Sequence, residues 1–259
     1  MQTTTDDGVE IHYEVAGSGP PVVLVHGITD SGADWAPIDQ RLAADHTVVT
    51  LDLRGHGRSG DAEDYSPLAM TQDLAAVVEA TGVDRPLLIG HSLGGAVAAA
   101  FAAGAPARAI VDIDQSLRFS DFKAALGQLE HQLRGGGFHA AMRAVFNSLD
   151  GPLMPDHLRE RLAANRDRAR QDVVLGVWDM VFSQTGEELD AVADAAGSAI
   201  TIPFLSIHGS DPGEDYPEWL VARIPHAHVE RWEGHGHYPH LVDPERFLSR
   251  LADLEREAS

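Results

Sequence analysis

The segment from Leu87 to Ala103 restricts the possible folds of this chain more than any other. A short apolar run, 87–89, predicts a buried strand, and the alanine-rich run 96–103 predicts a helix. Between them, Gly-His-Ser-Leu-Gly at 90–94 matches G-x-S-x-G. In that motif a serine occupies a tight strand-to-helix turn, and the flanking glycines avoid collisions that any Cβ would cause. Ser92 is therefore a candidate nucleophile at the start of a helix.

Apolar runs typical of strands alternate with helical patterns on both sides of this segment. Such alternation predicts a parallel sheet with right-handed crossovers. The predicted strands are 9–15, 22–25, 47–51, 87–89, 109–113, 202–208 and 228–232, and the predicted helices outside the insertion described next are 35–44, 68–80, 96–103 and 244–257.

The alternation stops after Asp114, and residues 116–199 show only helical patterns. We predict a core formed by 1–115 and 200–259, interrupted by a helical insertion at 116–199. An insertion of about 80 residues is far longer than an ordinary loop. It follows the carboxyl end of a parallel strand, where open α/β sheets bind ligands, so we interpret it as a lid.

Composition and charge narrow the classes of partner. The 259 residues suffice for one large core, and the absence of cysteine excludes disulfides and thiolate chemistry. A net charge of -21 disfavours nucleic acid and anionic membranes. The N-terminus is polar, and no apolar run approaches the length that spans a membrane. We expect a cytoplasmic protein with a small-molecule substrate, and leave a homodimer open.

Four motifs, in the same order along the chain, resemble those of the α/β-hydrolases that carry a helical cap. They are His-Gly-Ile at 26–28, the glycine-rich loop 52–59, the serine motif 90–95 and the histidine segment 234–247. The resemblance covers essentially the whole chain. It implies an α/β-hydrolase fold, with a mostly parallel eight-stranded sheet, helices on both faces and a helical cap. It also implies that the catalytic groups follow each other as serine, acid and histidine.

A serine nucleophile needs a base within hydrogen-bond reach, and near neutral pH that base is usually histidine. His235, His237 and His240 all follow Ser92 in the chain. His237 matches the histidine of the family's G-H-x-P-H pattern, so the resemblance assigns it as the base. The other two histidines are expected to pack in the loop.

The acid that orients the histidine has two main candidates. Asp211, after the predicted strand 202–208, matches the usual position in the family and is our first choice. Only Ser210 separates it from Gly209, one residue fewer than is common. Asp114, at the end of the predicted strand 109–113, is the alternative, because some members carry the acid there. Asp215 is a weaker third candidate.

The resemblance also places the remaining site residues. Backbone N–H groups of Ile28 and Leu93 are expected to form the oxyanion hole. Gly27, His91 and Trp178 are assigned to substrate binding. The loop that contains Arg54, His56 and Arg58 is mostly structural in the family, so we do not interpret its cationic side chains as an anion site.

The predicted function is that of a serine hydrolase that cleaves a small hydrophobic ester or lactone through an acyl-enzyme, without metal or cofactor. A serine nucleophile argues against epoxide hydrolases and haloalkane dehalogenases, which use a carboxylate. A C–C bond hydrolase, a cofactor-free perhydrolase and a non-catalytic small-molecule receptor remain alternatives. A metal hydrolase is disfavoured because Tyr238-Pro239 interrupts the H-x-H-x-D-H pattern.

Overall fold

A computed structural model describes residues 1–257 and contains one eight-stranded sheet. Its strands are β1 (Gln2–Thr4), β2 (Glu10–Gly17), β3 (Pro21–Val25), β4 (Thr47–Leu51), β5 (Leu87–His91), β6 (Ala109–Ile113), β7 (Phe204–His208) and β8 (Ala227–Arg231). The spatial order is β1-β2-β4-β3-β5-β6-β7-β8. The β1–β2 and β2–β4 pairs are antiparallel and the others are parallel, as the alternation of strands and helices predicts.

The helices of the described residues fall into three sets along the chain. Those before β6 are α1 (Ile38–Leu42), α2 (Pro67–Thr81) and α3 (Leu93–Gly104), with a 3-10 turn at Gly32–Trp35. Those between β6 and β7 are α4 (Phe119–Leu126), α5 (Glu130–Arg134), α6 (Phe138–Leu149), α7 (Asp156–Asp167), α8 (Gln171–Ser183) and α9 (Gly186–Ala199). The last are α10 (Tyr216–Val221), α11 (Pro239–Val242) and α12 (Pro244–Glu257).

Both faces of the sheet are covered, because successive residues of its central strands point to opposite sides. In β3, Val22 and Leu24 pack with α1 and α12, whereas Val23 and Val25 pack with α2 and α3. All four side chains are fully buried. This continuous burial explains why residues 22–25 form an unbroken apolar run in the sequence.

The helices of 116–199 bury the apolar faces that the sequence predicts. Phe138, Met142 and Phe146 are buried on α6, and Val177 and Trp178 are buried on α8. These side chains belong to the same apolar cluster as residues of α2 and α3. The insertion therefore packs on the side of the sheet that α2 and α3 cover.

Two details of the strands differ from the sequence prediction. β1 was not predicted, because a three-residue polar strand forms by backbone pairing with β2 and shows no apolar pattern. β7 begins at Phe204 instead of Ile202, since Pro203 lacks the N–H that a central strand needs. No helix within residues 1–257 is both long and apolar enough to cross a membrane.

The glycine-rich loop after β4 is held by a buried ion pair. The Arg54 guanidinium is fully buried, and its Nη2 lies 2.6 Å from Oδ1 of Asp73, which is equally buried. Its Nη1 also lies 2.8 Å from Oδ2 of Asp7. Arg58, by contrast, is exposed and pairs with Glu14. Arg54 thus has the structural role expected of this loop.

Candidate active site

Ser92 lies between β5 and α3 in a strained conformation, with φ 51° and ψ -123°. The turn is tight enough to need glycine on both sides. A Cβ on Gly90 would lie 2.1 Å from the carbonyl oxygen of Gly94, and one on Gly94 would lie 2.1 Å from that of Val25. Strain of this kind persists only where the surrounding structure enforces it, and it is common at active sites.

His237 lies in the loop between β8 and α11, and it is buried. Its Nδ1–H donates a hydrogen bond of 2.6 Å to Oδ2 of Asp114. With the proton of the neutral ring on Nδ1, Nε2 is left as the acceptor that a general base needs. The backbone N–H of His237 donates to the carbonyl oxygen of Leu149, which belongs to α6.

Asp114 directly follows β6 and is held by several donors. One carboxylate oxygen accepts hydrogen bonds of 2.8 Å from the backbone N–H groups of Gly209 and Ser210. The other oxygen accepts a hydrogen bond of 2.8 Å from the Ser210 hydroxyl, in addition to the hydrogen bond from His237. Burial alone would raise the pKa of this carboxyl, but the hydrogen bond and charge of His237 and the nearby His208 outweigh burial and lower the pKa to about 2.

Asp211, our first choice for the acid, does not reach the histidine. Its side chain is 73% exposed, lies 3.0 Å from Nη2 of Arg231 and accepts from the N–H of Gly213. The short loop explains this outcome, because the N–H groups of Gly209 and Ser210 turn towards Asp114 and the next residue points outward. The alternative candidate, Asp114, is the aspartate that contacts His237.

The remaining acid and histidine candidates have other partners. Asp215 is exposed and pairs with Arg118. His235 donates from Nδ1 to backbone carbonyls of its own loop, and the buried His240 packs on Trp35, with ring centroids 5.1 Å apart. Within residues 1–257, no group of three or more histidine and carboxylate side chains is arranged to hold a metal ion.

An apolar cavity of about 370 Å³ opens beside Ser92. Ile28 and Leu93, whose backbone N–H groups are the expected oxyanion donors, both line it. Leu93 is the first residue of α3, so its N–H has no acceptor within the helix. Side chains of the insertion complete the wall, namely Leu117, Phe119, Phe122, Phe146, Val177, Trp178, Met180, Val181, Val192, Ala193 and Ala196.

Two of the three residues assigned to substrate binding do not line this cavity. Trp178 does, as predicted. His91 is buried, and its ring nitrogens face the backbone oxygen of His237 and the carboxylate of Asp30. Gly27 is packed so closely that a Cβ there would lie 2.8 Å from Nδ1 of His91. Gly27 and His91 thus lie outside the lining of this cavity, and their assignment to substrate binding stays a prediction.

A second cavity, of about 430 Å³, is lined in part by Thr29, Asp30 and Ser31 of the loop after β3. Its lining is more polar and includes Asp34, His56, Asn165 and Arg168, but not Ser92. The apolar cavity is therefore the candidate substrate site, because only it contains the strained serine.

Comparison with known proteins agrees with the fold. The model of the "Alpha/beta hydrolase family" matches residues 22–250. The chain belongs to the alpha/beta hydrolase family. A pimeloyl-[acyl-carrier protein] methyl ester esterase of Xanthomonas campestris pv. campestris is 30% identical, over 93% of this chain and 97% of that protein.

Other relatives of this alpha/beta hydrolase carry esterase names. Esterase YbfF of Escherichia coli (strain K12) is 28% identical, over 89% of this chain and 91% of its own. The crystal structure of the esterase RhEst1 from Rhodococcus sp. ECU1013 superposes with a TM-score of 0.81 at 25% identity, covering 100% of this chain and 99% of that one.

Sequence reasoning missed the buried polar groups that lie near Asp114 on β6 and β7. Ser206 and His208 lie on β7 beside β6, and the Ser206 hydroxyl is 2.8 Å from both Oδ2 of Asp112 and Nε2 of His208. Nδ1 of His208 lies 4.0 Å from Oδ1 of Asp114. Burial raises the pKa of Asp112 and lowers that of His208 to about 4. The only sequence signal for these groups was His208 itself, three residues before Asp211.

The contact that a serine mechanism still requires is one between Ser92 and His237. No hydrogen bond joins the Ser92 hydroxyl to His237 among the interactions of residues 1–257. Such contacts are often long without substrate and tighten in the reacting complex. The arrangement therefore combines a histidine that is hydrogen-bonded to a buried aspartate with a strained serine that lines an apolar cavity.

We expect the ionised Asp114 to stabilise the fold in a pH-dependent way. Its pKa of about 2 lies below the ordinary 3.8, so its stabilisation is complete above the ordinary value and is lost as the pH falls towards the lowered one. Urea unfolding of the wild type and Asp114→Asn should therefore give free energies of unfolding whose difference shrinks by about 1 kcal/mol between about pH 5 and pH 3. A difference that stays constant over this range would contradict the ionised, hydrogen-bonded state of Asp114.

Proposed function

We propose that this alpha/beta hydrolase is a serine hydrolase that cleaves a small hydrophobic ester or lactone through an acyl-enzyme on Ser92. Family membership and the esterase names of its relatives support an ester-cleaving enzyme. The observation that carries the mechanism is the 2.6 Å hydrogen bond between His237 and Asp114. His237 lies on a loop next to the strained serine.

In the first half-reaction, Nε2 of His237 accepts the Ser92 proton while Oγ attacks the ester carbonyl carbon. The carbonyl oxygen becomes an oxyanion, which accepts hydrogen bonds from the N–H groups of Ile28 and Leu93. When the intermediate collapses, the C–O bond to the alcohol breaks and the departing oxygen takes the proton from His237. In the second half-reaction, water replaces the alcohol and the same steps in reverse order release the acid and free Ser92.

Asp114 acts on the histidine throughout both half-reactions. Its carboxylate accepts from Nδ1–H, which fixes the tautomer, and its charge stabilises the imidazolium that forms. The lowered pKa keeps Asp114 ionised while His237 gains its proton. Asp114 thus takes the role that we first assigned to Asp211.

The apolar cavity supports a small hydrophobic substrate. Its volume of about 370 Å³ lies at the small end of ligand sites, and its wall is mostly aliphatic and aromatic. Because α6, α8 and α9 supply much of that wall, we extend the proposal to 116–199 as a lid that shapes the substrate site.

A panel of p-nitrophenyl esters with acyl chains from acetyl to lauroyl tests this proposal. We expect kcat/KM to be greatest for short or medium chains and to fall for long ones, which exceed the cavity. A lactone and a vinylogous diketone run beside the panel would identify the alternative chemistries of the same fold. Turnover no greater than that of Ser92→Ala on every ester would contradict ester hydrolysis, and a maximum at lauroyl would contradict a small substrate.

A further inference from the structure

Three of the four loops that carry the proposed catalytic groups meet at one buried histidine. These are the loop after β3, which contains Ile28, the turn after β5, which contains Ser92, and the loop after β8, which contains His237. His91 immediately precedes the serine and is 2% exposed.

His91 is bonded directly to the main chain of the catalytic histidine. Its Nε2 lies 2.8 Å from the carbonyl oxygen of His237, and because a carbonyl only accepts, Nε2–H is the donor. The two imidazole rings also pack together, with centroids 4.7 Å apart. A displacement of His91 would therefore move the backbone that carries the base.

The other ring nitrogen of His91 faces a buried carboxylate on the loop after β3. Nδ1 lies 3.6 Å from Oδ2 of Asp30, and both side chains are only 3% exposed. Burial alone would raise the pKa of Asp30, but the imidazole of His91 and the other polar groups around the carboxyl outweigh burial and lower the pKa, so the carboxylate is ionised at neutral pH. A buried charge of this kind is costly unless it is paired and hydrogen-bonded.

Two side chains donate hydrogen bonds to Asp30, and each comes from a different part of the chain. The hydroxyl of Tyr238, next to the catalytic histidine, donates to Oδ2 at 3.3 Å. The amide of Asn165, on α7, donates to Oδ1 at 3.4 Å. Burial raises the pKa of the Tyr238 phenol, which keeps it a donor. Asp30 therefore links the oxyanion loop with the histidine loop and with the helical insertion.

We propose that His91 and Asp30 are positioning residues. They fix the relative positions of the loop after β3, the turn that contains Ser92 and the loop that contains His237. This inference rests on the proposed serine mechanism. Neither side chain lines the apolar cavity, so both act through the backbone of His237 and not on the substrate. Apolar side chains would fill the same space without the cost of burying a charge, so packing alone does not account for this pair.

Positioning has a measurable consequence, because a misplacement of about 1 Å at a reacting group can cost about 10²-fold in rate. His91→Phe keeps the ring packing but removes both hydrogen-bonding nitrogens. We expect it to lower kcat by about 10²-fold, with a much smaller change in KM. His91→Gln retains an amide N–H that can reach the His237 carbonyl, and should recover at least about tenfold of that loss.

The pair can be tested as a unit with a double-mutant cycle. Asp30→Asn removes the charge while keeping the size, and we expect it to lower kcat in the same direction. If the two residues act through each other, His91→Phe combined with Asp30→Asn should cost less than the product of the single losses. Because Asp30→Asn leaves His91 intact, it also tests the idea should His91→Phe fail to fold.

His46→Phe is the matched control, since His46 is also buried but pairs with Asp45 and Glu255, and none of these three residues lines the apolar cavity. We expect its kcat to equal that of the wild type. A kcat for His91→Phe within about threefold of wild type, no recovery with His91→Gln, or multiplicative losses in the cycle would each overturn the inference. Wild-type turnover in Ser92→Ala would instead overturn the serine mechanism on which it rests.

Discussion

Replacing Ser92 with alanine is expected to lower kcat on any hydrolysed ester by about 10⁴-fold or more, because no other group in the proposed mechanism can form the acyl-enzyme. The fold should survive, since alanine adds no atoms to the tight turn and leaves the flanking glycines unchanged. Steady-state kinetics with an ester from the p-nitrophenyl panel, together with a thermal unfolding scan, checks both parts of this expectation.

Ser198→Ala is the matched control for that variant. Ser198 is exposed on α9, and its hydroxyl bonds only the carbonyl oxygen of Ala195 within the described chain. Its kcat should equal that of the wild type. Wild-type turnover in Ser92→Ala would show that hydrolysis does not pass through this serine.

The second large effect is expected from the acid. Asp114→Asn keeps the shape of the side chain but allows His237 to take the wrong tautomer, and in the worked serine-protease case such a change costs about 10⁴-fold in kcat. Asp211→Asn should leave kcat within about threefold of wild type, because that carboxylate is exposed and contacts only Arg231, in a surface ion pair, and the N–H of Gly213.

The comparison between the two asparagine variants decides which aspartate is the acid. Both should show the circular dichroism spectrum of the wild type, so that loss of rate is not mistaken for loss of fold. If Asp211→Asn proved the slower enzyme, the acid would have to be reassigned to the loop after β7.

The features that were predicted correctly from sequence are those with local causes. The glycines around Ser92 are required by contacts within the turn itself, which makes the motif readable without knowledge of the rest of the chain. The central strands can be recognised in the sequence because burial on both faces leaves apolar residues at most of their positions. The faces of α6 and α8 follow from helical spacing, again a local property.

The features that sequence reasoning missed depend on partners far along the chain. Asp114, and not Asp211, contacts His237. Its carboxylate is bonded by the N–H groups of Gly209 and Ser210, which lie 95 and 96 residues later in the chain. His91 was assigned to the substrate because its bond to the carbonyl of His237, 146 residues away, leaves no sequence pattern. The strand β1 was missed for a similar reason, since only pairing with β2 defines it.

Peptide mass mapping after reaction with a fluorophosphonate probe tests the central claim most directly. Such a probe forms a stable bond only with a serine that a neighbouring base activates. The account predicts one probe per chain, on the peptide that contains Ser92, with labelling abolished in Ser92→Ala and slowed in Asp114→Asn. Labelling of another residue, or equal labelling in Ser92→Ala, would contradict it.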